Sequence, residues 1–485
     1  MYLKSFLSVS LHLERNFAVL FLIVFLASNP KNAFAARGKS IVSRFGVVAT
    51  DETICSKIGK DVLRRRGHAV DAAVAATLCL GVVSPSFSGL GGGGFMLVRS
   101  ANGRAKVFDM REMAPGRASK CLVYSFVLLL RQLAGLYTAH KKYGKVPWGT
   151  LVKPAENLAR NGFNVSQFLF KSISNAKSTI MADKHLRSIF APNGELLPVG
   201  KTVRMRKLAD TLAAIAKHGM NVFYNGSMAQ SLVDDIRKAG GIITKADFQK
   251  YKVILRKPLV AKVLGYELVT VPPPASGGAM IILILKILAN YNASNVAVSL
   301  VIHRLIEALK YALVLRMNLG DPKFVNVTSV LNTMISTSHA KKLKDLINDD
   351  KTFDPAHYGS NTPPPSPMNF VEPFKRPLSS MGPTILLKGG KVRAVIGAAG
   401  GLLIPDAVTQ LYPNVLYLEN YTSQYGDYFG YHTGIQMELK HKGHVLQGVK
   451  RWTSCQFVIQ KLKGPNAGQL VAVSDPRKGG LPAGY

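Results

Sequence analysis

Acidic residues are scarce in this chain. Only 27 Asp+Glu stand against 62 Lys+Arg, a formal net charge of +35 over 485 residues. An imbalance of that size ordinarily points to nucleic acid or to an anionic surface. The positive residues are scattered, however, with small knots at Leu63-Arg-Arg-Arg66, His140-Lys-Lys142 and Lys440-His-Lys442. No aromatic-interleaved basic stripe accompanies them, so nucleic acid is set aside. What stays is a solvated basic surface able to touch acidic polymers or membrane headgroups. Cysteine is also sparse: Cys55, Cys79, Cys121 and Cys455 show no CxxC spacing, which leaves zinc, and metal in general, without support. Beyond the N-terminus no apolar run is long enough to cross a membrane, and no internal repeat is visible.

What the chain does have is a hydrophobic content of 47%, enough for a large core in one big domain or two intimately joined ones. The N-terminus reads as an address. Lys4 and Arg15 precede the apolar run Phe17-Ala-Val-Leu-Phe-Leu-Ile-Val-Phe-Leu-Ala27, and Ala33-Phe-Ala35 fits small-x-small cleavage. The run is short for a bilayer span, so residues 1–35 are expected to be a signal peptide, with a signal anchor as the alternative. Sequons at Asn164, Asn225, Asn292, Asn326 and Asn420 suit a glycosylated protein of the secretory pathway. Its destination would be the extracellular space or apoplast, the outer face of the plasma membrane, or the vacuole.

The pattern predicts a strand over 41–50 and an amphipathic helix over 55–65. Further helices are expected over 151–161, 166–182, 206–218, 228–239, 280–291, 299–321 and 339–349. Strand positions alternate over 259–271, and paired strands are expected at 384–388 and 391–397. Residues 121–130 are anomalously apolar. Strands at both ends with helices between predict a layered α/β fold.

The organising stretch is 71–115. It contains a small-residue helix (Asp71-Ala-Ala-Val-Ala-Ala-Thr-Leu-Cys-Leu80), a loop that glycine makes possible (Gly89-Leu-Gly-Gly-Gly-Gly94), and the strand end Phe108-Asp-Met-Arg-Glu-Met-Ala-Pro115. Arg111 beside that loop could clamp a carboxylate with its planar fork. The alternative is a structural Arg111–Glu112 pair.

These blocks resemble the γ-glutamyltranspeptidase (glutathione hydrolase) family. The similarity continues in Met220-Asn-Val-Phe-Tyr-Asn-Gly226, Lys238-Ala-Gly-Gly-Ile-Ile-Thr244, Pro272-Pro-Pro-Ala-Ser-Gly-Gly278 and His303-Arg-Leu-Ile-Glu-Ala308. It returns in Arg376-Pro-Leu-Ser-Ser-Met-Gly-Pro-Thr384 and Val473-Ser-Asp-Pro-Arg-Lys-Gly-Gly480. The resemblance implies a four-layer αββα sandwich of the N-terminal-nucleophile hydrolase type, here incomplete in its central strands. Residues 36–360 would be a large-subunit-like region and 361–485 a shortened small-subunit-like region, associated if the chain self-cleaves. It implies cleavage of the γ-glutamyl bond of glutathione and related compounds, with water or an amino-acid amine as acceptor and no cofactor. Arg111 matches the family's α-carboxylate clamp, Ser379 and Ser380 the serine pair that assists it, and Gly400 and Gly401 the oxyanion-hole glycines. The resemblance also implies a Cys55–Cys79 disulfide; two buried free thiols are the alternative. By residue type alone Ser379-Ser380 reads as a turn and Gly400-Gly401 as a tight bend.

One departure is severe. The family's threonine nucleophile, whose own α-amine can serve as base, belongs between the helix ending near Asp349 and the Pro-rich link Pro363-Pro-Pro-Ser-Pro367. Here the chain passes from Tyr358-Gly-Ser-Asn-Thr362 straight to Pro363, so no catalytic residue is assigned. Thr337-Ser-His339 mimics the nucleophile tripeptide but opens a helical pattern, and a helix start cannot reproduce a strand-leading threonine. A second shortening follows Gly401, where the family has a long helix and this chain runs through Val408-Thr-Gln410 to Leu411-Tyr-Pro-Asn414. The expectation is a catalytically incomplete relative. An active hydrolase with its nucleophile unlocated and a non-enzymatic basic secreted protein are the alternatives.

Overall fold

The computed structural model describes residues 40–119, 131–291, 296–359, 366–417, 433–446 and 453–485. Residues 1–35, the apolar stretch 121–130, Asn292 and Asn420 lie outside the described residues.

The helix Ala69–Val83 starts where the sequence supplies a cap. His68 Nδ1 accepts from Val70 N at 3.1 Å, and the Asp71 carboxylate accepts from His68 N at 2.8 Å. Asp71 is fully buried and also accepts from Lys145 N at 2.9 Å, which ties the helix start to a distant loop. Alanines along the helix permit close approach to the amphipathic helix Thr53–Arg64, and a Cys55–Cys79 disulfide joins the two with Cα atoms 5.5 Å apart.

Among the described residues, seven strands form one antiparallel sheet. Their order is Ile41–Ser43, Leu470–Ser474, Ser454–Gln460, Lys391–Ala399, Thr384–Lys388, Tyr266–Thr270 and Leu259–Val263. Strands from both sides of residue 360 therefore share one sheet. A second sheet, of three strands among the described residues, joins Gly94–Arg99, Ala105–Met110 and Ile254–Arg256.

Period-two alternation decides what each sheet faces. Leu97 and Val107 of the smaller sheet meet Val269, Val271, Ile385 and Leu387 of the larger one. Their alternates, Val98, Phe108 and Met110, join the core formed with the helices Ala69–Val83 and Gln132–Tyr143. On the outer face of the larger sheet, Leu268, Leu386, Ile396 and Phe457 pack with Ile281, Ile282, Ile404 and Val408 from the helices Gly277–Leu288 and Ile404–Tyr417. The layers read helix, sheet, sheet, helix. Gly277–Leu288 is apolar on every face but for Lys286 in its last turn, because Val298–Arg316, Thr328–Ile335 and Thr337–Leu346 cover its remaining faces.

Four sequence expectations change. Residues 41–50 form two short strands, Ile41–Ser43 and Val47–Val48, because the chain turns between them. The helix expected over 166–182 breaks at Ala176 into Gln167–Asn175 and Lys177–Ala182. The strand expected over 259–271 is a hairpin, turned by Leu264 (φ 49°) and Gly265 (φ 76°). A helix does follow Gly401, over Ile404–Tyr417; of its two prolines, Pro405 sits in the first turn, where a missing N–H costs nothing, and Pro413 lies in the interior.

Candidate functional site

The strand Ala105–Met110 ends by burying Asp109 and then releasing Arg111 and Glu112 toward the glycine loop. Asp109 accepts from Arg256 Nε at 2.7 Å and from Arg111 N at 2.9 Å, with Arg376 Nε 3.5 Å away. A fully buried carboxylate thus fixes the backbone from which Arg111 projects. Gly93 is needed beside it, since a Cβ there would lie 2.6 Å from Met110 O and 2.7 Å from Glu112 Cδ.

Arg111 donates through Nη1 to Glu112 Oε2 at 2.5 Å and through Nε to Pro377 O at 3.3 Å. The first contact is the structural pair that residue type suggests; the second carries Arg111 to the Ser379-Ser380 segment. Ser379 is locked by its backbone: its N donates to Pro274 O at 2.8 Å, and its carbonyl accepts from Ser276 N at 2.7 Å and Ser276 Oγ at 2.8 Å. Ser380 Oγ accepts from Arg316 Nη2 at 3.3 Å, while Arg316 Nε donates to Ser276 Oγ at 3.0 Å. Gly277 makes this packing possible, because a Cβ there would meet Met381 O at 2.4 Å and Ser380 O at 2.5 Å.

Gly400 and Gly401 leave the strand Lys391–Ala399 with φ of 149° and 65°. In the pairing with Thr384–Lys388, Thr384 faces Ile396, so the glycines emerge at the end of the sheet from which Ser379 and Ser380 lead in. The tight bend is real: a Cβ on Gly400 would sit 2.5 Å from Thr453 Oγ1. One end of the layered sheets therefore gathers Arg111, Ser379, Ser380, Gly400 and Gly401.

Arg316 is a residue the sequence did not single out. It ends the helix Val298–Arg316, and burial pushes its guanidinium down to about 10. A basic last residue in an otherwise apolar stretch is its only trace in the sequence. Thr337 is not brought to this end. It opens the helix Thr337–Leu346, its hydroxyl accepts from Lys286 Nζ at 3.0 Å, and Ser336 caps the helix by accepting from His339 N.

Comparison with known proteins fits this geometry. The family model described as gamma-glutamyltranspeptidase matches residues 55–364 and 356–485. Glutathione hydrolase 2 of Arabidopsis thaliana is 42% identical over 568 aligned residues, covering 96% of this chain and 98% of that protein. The chain belongs to the γ-glutamyltranspeptidase family. Its lineage is that of the glutathione hydrolases. Among solved structures, Helicobacter pylori gamma-glutamyltranspeptidase is 31% identical with a TM-score of 0.62, over 68% of this chain and 96% of that one. Cephalosporin acylase from Bacillus halodurans, 21% identical, superposes with a TM-score of 0.82 over 95% of this chain and 99% of that one. The fold is thus the αββα sandwich of the N-terminal-nucleophile hydrolases.

Two features of these matches concern length. The family match is made in two pieces that meet at 356–364, the place where the sequence runs directly into its Pro-rich link. The 568 positions aligned with the Arabidopsis protein exceed this chain's own 485 residues, so at least 83 positions have no counterpart here.

Proposed function

We propose that this family member grips the acid end of γ-glutamyl compounds without cleaving them efficiently. The observation that carries the reading is the junction at 356–364, where the resemblance places a strand-leading threonine nucleophile and this chain has only Thr362, followed directly by Pro363 and the Pro-rich link. Arg111, Ser379 and Ser380 supply a guanidinium and two hydroxyl-bearing residues at one edge, suited to an α-carboxylate. Gly400 and Gly401 would turn backbone amides toward an oxyanion. Without a hydroxyl beside a base, that stabilisation has no developing charge to act on.

The test is direct. The purified protein is expected to run as one chain on a denaturing gel, to release no chromophore from a γ-glutamyl anilide, and to bind glutathione weakly. Binding should disappear in Arg111→Ala. Two fragments, with a threonine at the new N-terminus and turnover of the anilide, would overturn the proposal.

A second reading takes the charge as the function: a secreted basic protein held on anionic wall polymers or headgroups. Its support is the net charge of +35 and a shallow recess whose lining holds Arg117, Arg237, Lys245 and Lys250 against one carboxylate, Asp247. Retention on an anionic resin should collapse with salt. It must exceed that of a scrambled protein of equal charge for this reading to stand. Passage through the secretory pathway belongs to both readings, and the Cys55–Cys79 disulfide supports it. So do exposed sequon asparagines at 164, 225 and 326. Glycosidase treatment of protein from the native host should sharpen its band.

A further inference from the structure

Far from the Arg111 edge, the helix Val298–Arg316 carries His303 and Glu307 four residues apart, so both project from one face. His444, just beyond the helix Thr433–His441, comes to meet them. All three are buried, and one donor atom from each lies within 4.8 Å of the others. We propose that His303, Glu307 and His444 form a binding site for one divalent transition ion of the zinc class.

Two imidazoles and a carboxylate make a donor set that suits zinc or cobalt better than calcium or magnesium, which take oxygen alone. The ring of His303 is already oriented as a ligand would be. Its Nε2 lies 2.7 Å from Asn348 O; a carbonyl only accepts, so Nε2 carries the proton and Nδ1 presents its lone pair inward. That lone pair points at His444 Nε2, 2.7 Å away. Two nitrogens on one tetrahedral zinc stand about 3.3 Å apart, given metal–nitrogen bonds of about 2.0–2.1 Å. The rings must therefore part by roughly 0.6 Å, and the proton now shared between them must leave when the ion enters.

Glu307 is held in place by its neighbours. Oε1 accepts from Lys310 Nζ and Thr352 Oγ1, both at 2.8 Å, and Oε2 accepts from Tyr358 OH at 2.5 Å. The Lys310 ammonium opposes the ion and competes for the carboxylate, which weakens the site relative to one without it. Thr352 and Tyr358 leave a hydroxyl-rich side from which a fourth ligand, water or hydroxyl, can come.

The consequence is a staple. Residues 433–446 are joined on both sides to segments outside the described residues. Against Val298–Arg316 they pack through Leu439, Ile435 and Leu446 on Ile302 and Ile306. An ion shared by His303, Glu307 and His444 would lock this piece of the C-terminal half onto the helical layer. In the sequence, His303-Arg-Leu-Ile-Glu-Ala308 carries a family resemblance and no metal signal, since no cysteine is involved and His444 is 141 positions from His303.

The experiment uses the untagged protein, stripped with chelator and dialysed, titrated with zinc chloride in a calorimeter and with cobalt chloride in an absorption cell. One equivalent of zinc per chain is expected, with a rise of a few degrees in Tm at saturating zinc and tetrahedral cobalt bands. His444→Ala should lose the bound equivalent, the Tm rise and the cobalt bands together. His444→Cys should keep the equivalent and add a thiolate-to-cobalt charge-transfer band, which a merely structural histidine would not produce. Binding that survives His444→Ala unchanged, or no binding to the unsubstituted chain, would overturn the proposal. Should His444→Ala fail to fold, the cobalt spectrum of His444→Cys alone decides: no thiolate band sinks the site.

Discussion

The two central sheets differ in size and in how they are recruited. The larger takes strands from residues 41–43, 259–270 and 384–474, so the start, the middle and the C-terminal third of the chain all have a stake in it. The smaller, among the described residues, is built only from 94–110 and 254–256. A chain lacking at least 83 positions of its Arabidopsis relative thus keeps one extensive sheet and a narrow one. The lesson is about dependence. The narrow sheet cannot rely on ladder hydrogen bonds for its position, so buried charge and side-chain packing must place it, and with it Arg111.

The comparison can be broken at Asp109. Asp109→Asn leaves Arg256 and Arg376 without their buried carboxylate and should cost about 3–5 kcal/mol, read from the urea midpoint. A loss under about 1 kcal/mol would mean that packing alone holds the smaller sheet. Phe108→Ala and Leu268→Ala ask the same of the two sheets' cores. Both side chains are fully buried, and each truncation should cost about 3–4 kcal/mol. A large loss for Leu268→Ala beside a negligible one for Phe108→Ala would show the smaller sheet to be loosely held.

The disulfide sharpens the contrast from the helical side. It closes a span of 24 residues next to the smaller sheet, and Cys55→Ser with Cys79→Ser should cost about 2–4 kcal/mol. Thermal melts with and without reductant should reproduce that difference in the unsubstituted protein and not in the double variant.

The smallest effect concerns the seam near residue 52, where the N-terminal helices meet the Asp475-Pro-Arg-Lys478 turn. Burial, and after it the neighbouring Asp51, push the Glu52 carboxyl from 4.5 up to about 7. The fold therefore holds a proton that the unfolded chain releases. The stabilisation is complete below about pH 4.5 and is lost as pH rises through about 7. Glu52→Gln should flatten that decline and gain about 1–2 kcal/mol over the unsubstituted protein at about pH 8, allowing for partial exposure. Equal pH dependence in the two proteins would remove Glu52 as its cause.

Much of the fold was legible because its signals are local. The glycines at 92–93 and 277–278 mark close approaches that a side chain would block, and the helices Arg206–His218 and Ser227–Lys238 follow their apolar spacing closely. Ser454–Gln460 and Leu470–Ser474 were not foreseen, because alternation in so short a run acquires meaning only beside a partner strand. The hairpin at Leu264-Gly265 was hidden because a lone glycine can as easily mark a bulge. At the site, Arg111, Ser379, Ser380, Gly400 and Gly401 were named from their motifs. Arg316 was not, because its approach to Ser380 spans 64 positions and depends on where a long helix happens to end.

Residues 41–43 lie beside 470–474, and Val47–Val48 beside Ala483–Gly484, with Tyr485 N donating to Gly46 O. During synthesis the earliest of these segments must wait for the last to leave the ribosome before either can settle. Until then an open sheet margin and its apolar neighbours face whatever chaperones attend the growing chain. Slow translation of the codons for 470–485 should therefore lower the yield of folded protein more than slow translation of any equally long stretch within the helical layer.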